Sequence, residues 1–253
     1  MQQKVSFHVD QAFRVLFGIG VALVCLSLLV QVCVLKWGIP VDRQFARLVD
    51  LDREANFPTF YSAALMAIIA VTCTVIARLD VNSRHLHWRV LSVGFVIMSI
   101  DEICSLHESL VLPVRGMLSV EFQAWFHFAW ILPAVVLVIA IAIYFLKFLA
   151  SLPQAYAKLF VLSGALFLGA AVGIEFIEGR YVALHGRQNL VYAILMDIEE
   201  TSELAGLLLF LRSLWHYLAL IAPQWHVSTV TAESPPHSRS RVSSAGLGLP
   251  TPV

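Results

Sequence analysis

Residues 190–211 read LVYAILMDIEETSELAGLLLFL. A hydrocarbon core of ~30 Å needs about 20 mostly apolar residues to cross it, and this stretch is long and apolar enough. It nevertheless carries Asp197, Glu199, Glu200 and Glu203, and no Lys or Arg. Two other apolar stretches share the peculiarity. One holds Asp101, Glu102 and Glu108, and the other holds Glu175 and Glu178, with Arg180 at its very end. Nine of the seventeen acidic residues thus fall inside segments that read as membrane spans. An ionised acid at mid-bilayer costs roughly 2.5–3.5 kcal/mol on insertion scales, so nine unpaired ones would oppose insertion by more than about 20 kcal/mol. Bound metal, shared protons or a water-filled cavity must offset that cost.

The composition agrees with a membrane chain. Hydrophobic residues make up 59% and charged residues 13%, against about 25% charged in a soluble domain. Seventeen basic residues balance seventeen acidic ones, which gives no reason to expect nucleic acid as a partner. Cys25, Cys33, Cys73 and Cys104 lie in apolar runs without CxxC spacing, the pattern of buried free thiols. The first apolar run, residues 15–35, exceeds the roughly 7–15 residues of a signal h-region, so it is expected to remain as a span.

The fold class expected is all-α, a polytopic membrane helical bundle of about six transmembrane helices over 13–35, 57–77, 90–112, 124–146, 159–178 and 190–211. Ten basic residues against seven, with Arg78, Arg84 and Arg89 in one short loop, predict both termini inside. Residues 1–222 form the transmembrane domain. Residues 223–253, rich in Ser, Pro and Gly, read as a disordered cytoplasmic tail. Between them, 213–222 either prolongs the last span or bends along the headgroups. In the first outer loop, Phe45, Leu48 and Val49 recur at helical spacing behind Asp42, a natural N-cap, and suggest a short amphipathic surface helix. Asn56 and Pro58 mark the next helix start.

Span polarity brings the acids together in depth. Asp101 through Glu108, Glu175 and Glu178, Asp197 through Glu203, and His127 all fall in the outer half of the bilayer. At 100° per residue Asp101, Ser105 and Glu108 share one stripe; Glu199, Glu200, Glu203 and Gly206 share another, with Asp197 to the other side. Gly169 and Gly173 form a GxxxG that would let the fifth span pack closely on the third or sixth.

Three readings of the cluster stay open. In the first, Glu102, His107, Glu108, His127, Glu175, Glu178, Glu199, Glu200 and Glu203 hold a divalent transition metal, Fe, Mn or Zn. Glu108, Glu175, Glu178, Glu200, Glu203 and His107 would then touch it directly, and the protein would act on a lipid-soluble substrate. The paired Glu-x-x-His of di-iron bundles is missing. In the second, the same acids carry protons or cations through a coupled transporter. In the third, they bridge helices in a structural or assembly subunit. Plainer roles also exist: His127 as an interfacial anchor, His185-Gly186-Arg187 as a turn, His85 and His87 among headgroups, and Asp50–Glu54 as a solvated run or a cover over the cavity.

Four motifs occur in order: residues 51–62, reading LDREANFPTFYS; Asp101-Glu102; His107-Glu108; and Glu199-Glu200 with Glu203 and Gly206. In these the chain resembles a family of bacterial multi-pass inner-membrane proteins whose activity is uncharacterised. Thr201-Ser202 departs from the more apolar residues that family carries there. The resemblance implies an integral protein of the inner membrane and supplies no cofactor, activity or catalytic residue.

Overall fold

A computed structural model describes residues 9–80 and 84–222. The expected tail, 223–253, lies outside the described residues. Helices α1 (Val9–Leu35), α2 (Arg43–Val49), α3 (Phe57–Leu79), α4 (His85–Cys104), α5 (Val111–Gly116), α6 (Val120–Trp125), α7 (Ile131–Ser151), α8 (Gln154–Leu168), α9 (Glu175–His185) and α10 (Leu190–Ile221) follow one another, with no strand among the described residues. The fold is all-helical. α1, α3, α7, α10 and the run Gln154–His185 are each long and apolar enough to cross a membrane, and α4 with Glu108–Gly116 makes a sixth run bent by 73°.

Local chemistry sets the early boundaries as expected. The Asp42 carboxylate accepts from the amides of Gln44 and Phe45 and starts α2. Asn56 accepts from the Thr59 amide, with Pro58 in the first turn of α3. Asn189 caps α10 in the same way, through the Tyr192 amide. These side chains satisfy amide donors that the first helical turn leaves without partners.

The third, fourth and fifth spans differ from expectation. The third stops at Cys104, where Ser105 takes a left-handed conformation (φ 50°) and its amide closes on the Asp101 carbonyl. Glu108–Leu110 is a 3-10 turn, so Asp101, Ser105 and Glu108 do not share a helical stripe. The fourth begins at Ile131 and runs to Ser151, which leaves His127 in a non-helical break between α6 and α7. The fifth does not end at Glu178; it continues to His185 through a π-helical segment, Gly169–Ile174, that joins α8 to α9. The sixth is prolonged to Ile221 rather than bending at Ser213.

Hydrogen bonds between chain-distant residues establish the two ends of the bundle. At one, Arg84 donates to the Ser151 carbonyl, and Asp80 accepts from Trp88 Nε1 at 3.1 Å and from the Tyr217 hydroxyl at 3.3 Å. At the other, the Leu51 amide donates to Ser27 Oγ, and the Tyr192 hydroxyl to Asp52. The core joins Ile69, Ile76, Trp88, Phe160, Leu207, Leu214 and Tyr217 from α3, α4, α8 and α10.

The expected GxxxG contact is absent. A Cβ on Gly164, Gly169 or Gly173 would meet nothing within 4 Å, whereas one on Gly206 would stand 2.8 Å from the Phe167 backbone nitrogen. Helix α10 therefore crosses α8 at Gly206. The fifth span does pack closely on the sixth, as expected, but the glycine that permits it is Gly206 of the sixth span rather than the Gly169 and Gly173 pair.

Candidate functional site

At the Tyr192 end the helices enclose a cavity of about 940 Å³. Sites for small molecules typically measure roughly 300–1,000 Å³. Helix α10 supplies Glu199, Glu200 and Glu203, α9 supplies Glu175 and Glu178, and α4 with the turn after it supplies Asp101, Glu102, His107 and Glu108. His127 comes from the break before α7, and Asp52 and Glu54 come from the loop before α3. All nine candidate ligands thus line one space. Asp197 does not; it is buried on another face of α10, near Gln31 and Asp50.

Hydrogen bonds fix the wall. Asp101 accepts from the His107 amide at 2.8 Å and meets His107 Nδ1 at 2.8 Å, clamping the chain across the break after α4. The His107 ring lies 4.8 Å, centroid to centroid, from Trp130. Trp130 Nε1 in turn donates to Glu175 Oε1 at 2.8 Å. A Cβ on Gly179 would meet Phe128 at 3.0 Å and His127 at 3.3 Å, so the glycine lets α9 lie against the break. Over the top, Asn56 Nδ2 donates to the carbonyls of Arg47 and Asp50, which shapes the 50–56 loop. The Tyr192 hydroxyl ties that loop to α10 through Asp52 Oδ1 at 2.6 Å.

The charge inside is lopsided. Ten carboxyl residues line the cavity (Asp52, Glu54, Asp101, Glu102, Glu108, Glu175, Glu178, Glu199, Glu200 and Glu203) against three guanidinium groups, Arg53, Arg115 and Arg187. The charges acting most strongly on Glu200 and Glu203 are other carboxyls, Glu102 and Glu178 among them. Glu178 and Glu199 stand near enough for their charges to act on each other. Glu178 is 2% exposed and its Oε1 has no protein partner.

Outside the spans, burial raises Asp52 above its ordinary pKa, opposed by the Tyr192 hydroxyl and the Arg187 charge. Burial raises Glu54 too, opposed chiefly by His107. His127 is pushed down by burial and by the charges of Arg115 and Arg187.

The acids are gathered around the cavity rather than on one point. Among the described residues, no three His, Cys, Asp or Glu groups stand where they could jointly hold a metal ion. Sequence reasoning also passed over several wall residues. Trp130 and Tyr192 carry no motif, and Arg187, read as part of a turn, stands over the Phe128 and Tyr192 rings at 5.4 and 6.0 Å. The 50–54 run, left open between a solvated strip and a cover, brings Asp52, Arg53 and Glu54 to the cavity.

Residues 15–218 match the family described as a domain of unknown function, DUF8692. No curated protein and no solved structure matches the chain. The match covers most of the sequence and every residue of the cavity, and the chain belongs to the DUF8692 family.

Proposed function

We propose that this is a membrane protein whose acidic cavity takes up protons or another cation, working as a proton- or cation-coupled transporter. The observation that carries the reading is the crowding of ten carboxyls against three guanidinium groups around one cavity. Within it Glu178 Oε1 is buried without a protein partner, an arrangement that calls for a proton or an added positive charge. The orientation belongs to the same reading. Six spans, counting the bent α4–α5 run as one, put the basic Arg78–Arg89 region inside and the cavity toward the outside of a bacterial inner membrane.

A second reading has one observation in its favour. Asp101 engages Nδ1 of His107, the arrangement that orients a histidine to bind a metal through Nε2. Glu102, Glu108, Glu175, Glu178, Glu199, Glu200 and Glu203, with His127, would then close on a divalent Fe, Mn or Zn ion. That ion would supply Lewis-acid chemistry toward a lipid-soluble substrate. Closure requires side-chain movement, since the present rotamers do not converge.

Infrared difference spectroscopy of the purified protein across pH separates the two. Protonated carboxyl bands that persist at neutral pH and disappear in Glu178→Gln and Glu199→Gln support the proton reading. Stoichiometric transition metal by mass spectrometry, lost in Glu200→Gln, would replace it with the metal reading.

A further inference from the structure

Part of the cavity wall is formed by aliphatic residues of α4 and α7 that are also exposed on the outside of the bundle. At the Asp80 end, α4 and α7 are held together: His87 lies 5.1 Å from both the Tyr144 and Phe148 rings, and Trp88 lies 4.9 Å from Phe148. Toward the other end, Ile97 of α4 and Leu137 and Ile141 of α7 line the cavity, yet Ile97 is 59% and Leu137 60% exposed. Leu137 lies about 9 Å along α7 from its start, and Ile97 about 10 Å back from the end of α4, at 1.5 Å per residue. With α4 and α7 read as spans, side chains at that depth face acyl chains, and these three are aliphatic.

The two ends of the cavity ask for different things. Glu178, deeply buried, presents an oxygen that no protein group satisfies. An isolated buried acceptor of that kind is costly unless a donor or cation meets it. Arg53, Arg115 and Arg187 also line the cavity, and each repels a cation that comes near it. Ile97, Leu137 and Ile141 of the same wall carry no charge.

We infer that the ligand of this cavity is a cationic amphiphile, a single-chain amine, admitted sideways from the bilayer between α4 and α7. Its ammonium group sits against Glu178 and its chain lies along Ile97, Leu137 and Ile141. A hydrocarbon chain passes from lipid to an aliphatic wall at little cost, and the gain comes from charge compensation at the acids. The inference rests on the reading of the acids as acceptors of positive charge, and adds the class of ligand and its route.

The test uses the full chain in lipid nanodiscs with a long-chain primary amine bearing a photoactivated diazirine, compared with the alcohol of the same chain. Peptide mapping after irradiation is expected to show the amine on cavity-lining positions of α4 and α7 at least about fivefold above the alcohol. Glu178→Gln and Leu137→Trp should each reduce that excess to near unity. Val136→Trp, on the exposed side of α7 away from the cavity, should leave it intact. Equal labelling by amine and alcohol overturns the inference, as does amine labelling indifferent to both variants. Glu175→Gln, read the same way, replaces Glu178→Gln if that variant does not fold. Leu137→Trp should lose the amine excess yet retain the infrared carboxyl bands; in the parent chain, no amine excess while those bands are present sinks the ligand and leaves the proton reading standing.

Discussion

Tyr192 and Asp52 are 140 positions apart, and one hydrogen bond between them holds the loop over the cavity. A hydrogen bond to a charged group contributes about 1.5–3 kcal/mol. Tyr192→Phe should therefore lower the protection of the 50–56 amides in hydrogen exchange by about tenfold or more, with little change elsewhere. The variant should also let Asp52 titrate at higher pH, because the hydroxyl is the strongest of the groups that oppose the upward push of burial. The pH dependence of the loop follows from the same shifts. Asp52 and Glu54 have folded pKa values raised above 3.8 and 4.5, so the folded loop binds more protons than an open one. Their contribution to stability is full below those ordinary values and is lost as pH rises through the raised ones. Loop protection should accordingly be higher in mild acid than at pH 8, and a flat profile would contradict the burial of these two groups. The sequence announced residues of the capping kind readily, since Asp42 and Asn56 act on amides two or three positions away. It was silent about Tyr192, whose partner is defined only by tertiary folding.

Among the helices, close approach is decided at Gly206. An added Cβ would stand 2.8–2.9 Å from backbone atoms of Phe167 and Ser163, and backbone cannot step aside as a side-chain tip can. Gly206→Ala should destabilise the protein by about 1–3 kcal/mol, the usual cost of overpacking. Gly173→Ala, with open space around it, should be neutral within about 0.5 kcal/mol; thermal unfolding in detergent compares the two. Hydropathy located the apolar runs because burial in lipid depends on composition over about 20 residues. It missed the breaks at Ser105 and at residues 126–130 because both lie inside apolar sequence. The first is held by the Asp101 side chain replacing a helical partner for the His107 amide, an effect invisible to any windowed average. Helical phase failed for Glu108 for the same reason.

Across the whole molecule, charge is segregated. At one end Asp80 is almost fully buried but answered by Arg84 at 3.1 Å, by Trp88 and by Tyr217. Removing one member of such a pair typically costs 3–5 kcal/mol, so Asp80→Ala should unfold the detergent-solubilised protein at markedly lower temperature. At the other end the acids are answered mainly by one another. Neutralising them should act in the opposite direction: the triple variant Glu199→Gln, Glu200→Gln, Glu203→Gln is expected to melt higher than the parent at pH 8 and to converge with it in acid. A lower melting temperature at both pH values would mean that the carboxyls hold the helices together. That acids of the third, fifth and sixth spans gather around one cavity was legible from span polarity, although Asp197, expected with them, lies on another face of α10. Their failure to converge on a point depends on rotamers and on helix breaks, which no spacing rule encodes.

The π-helical segment Gly169–Ile174 carries a last consequence. A wider turn holds one residue more than an α-turn, and so resets the angular register of everything after it. Shortening the chain by one position there would restore ordinary winding and swing Glu175 and Glu178 by about 100°, out of the chamber and toward hydrocarbon. The irregularity is thus the hinge pin on which the polarity of α9 turns, and a single-codon deletion should cost the chamber two acids while leaving the helix itself intact.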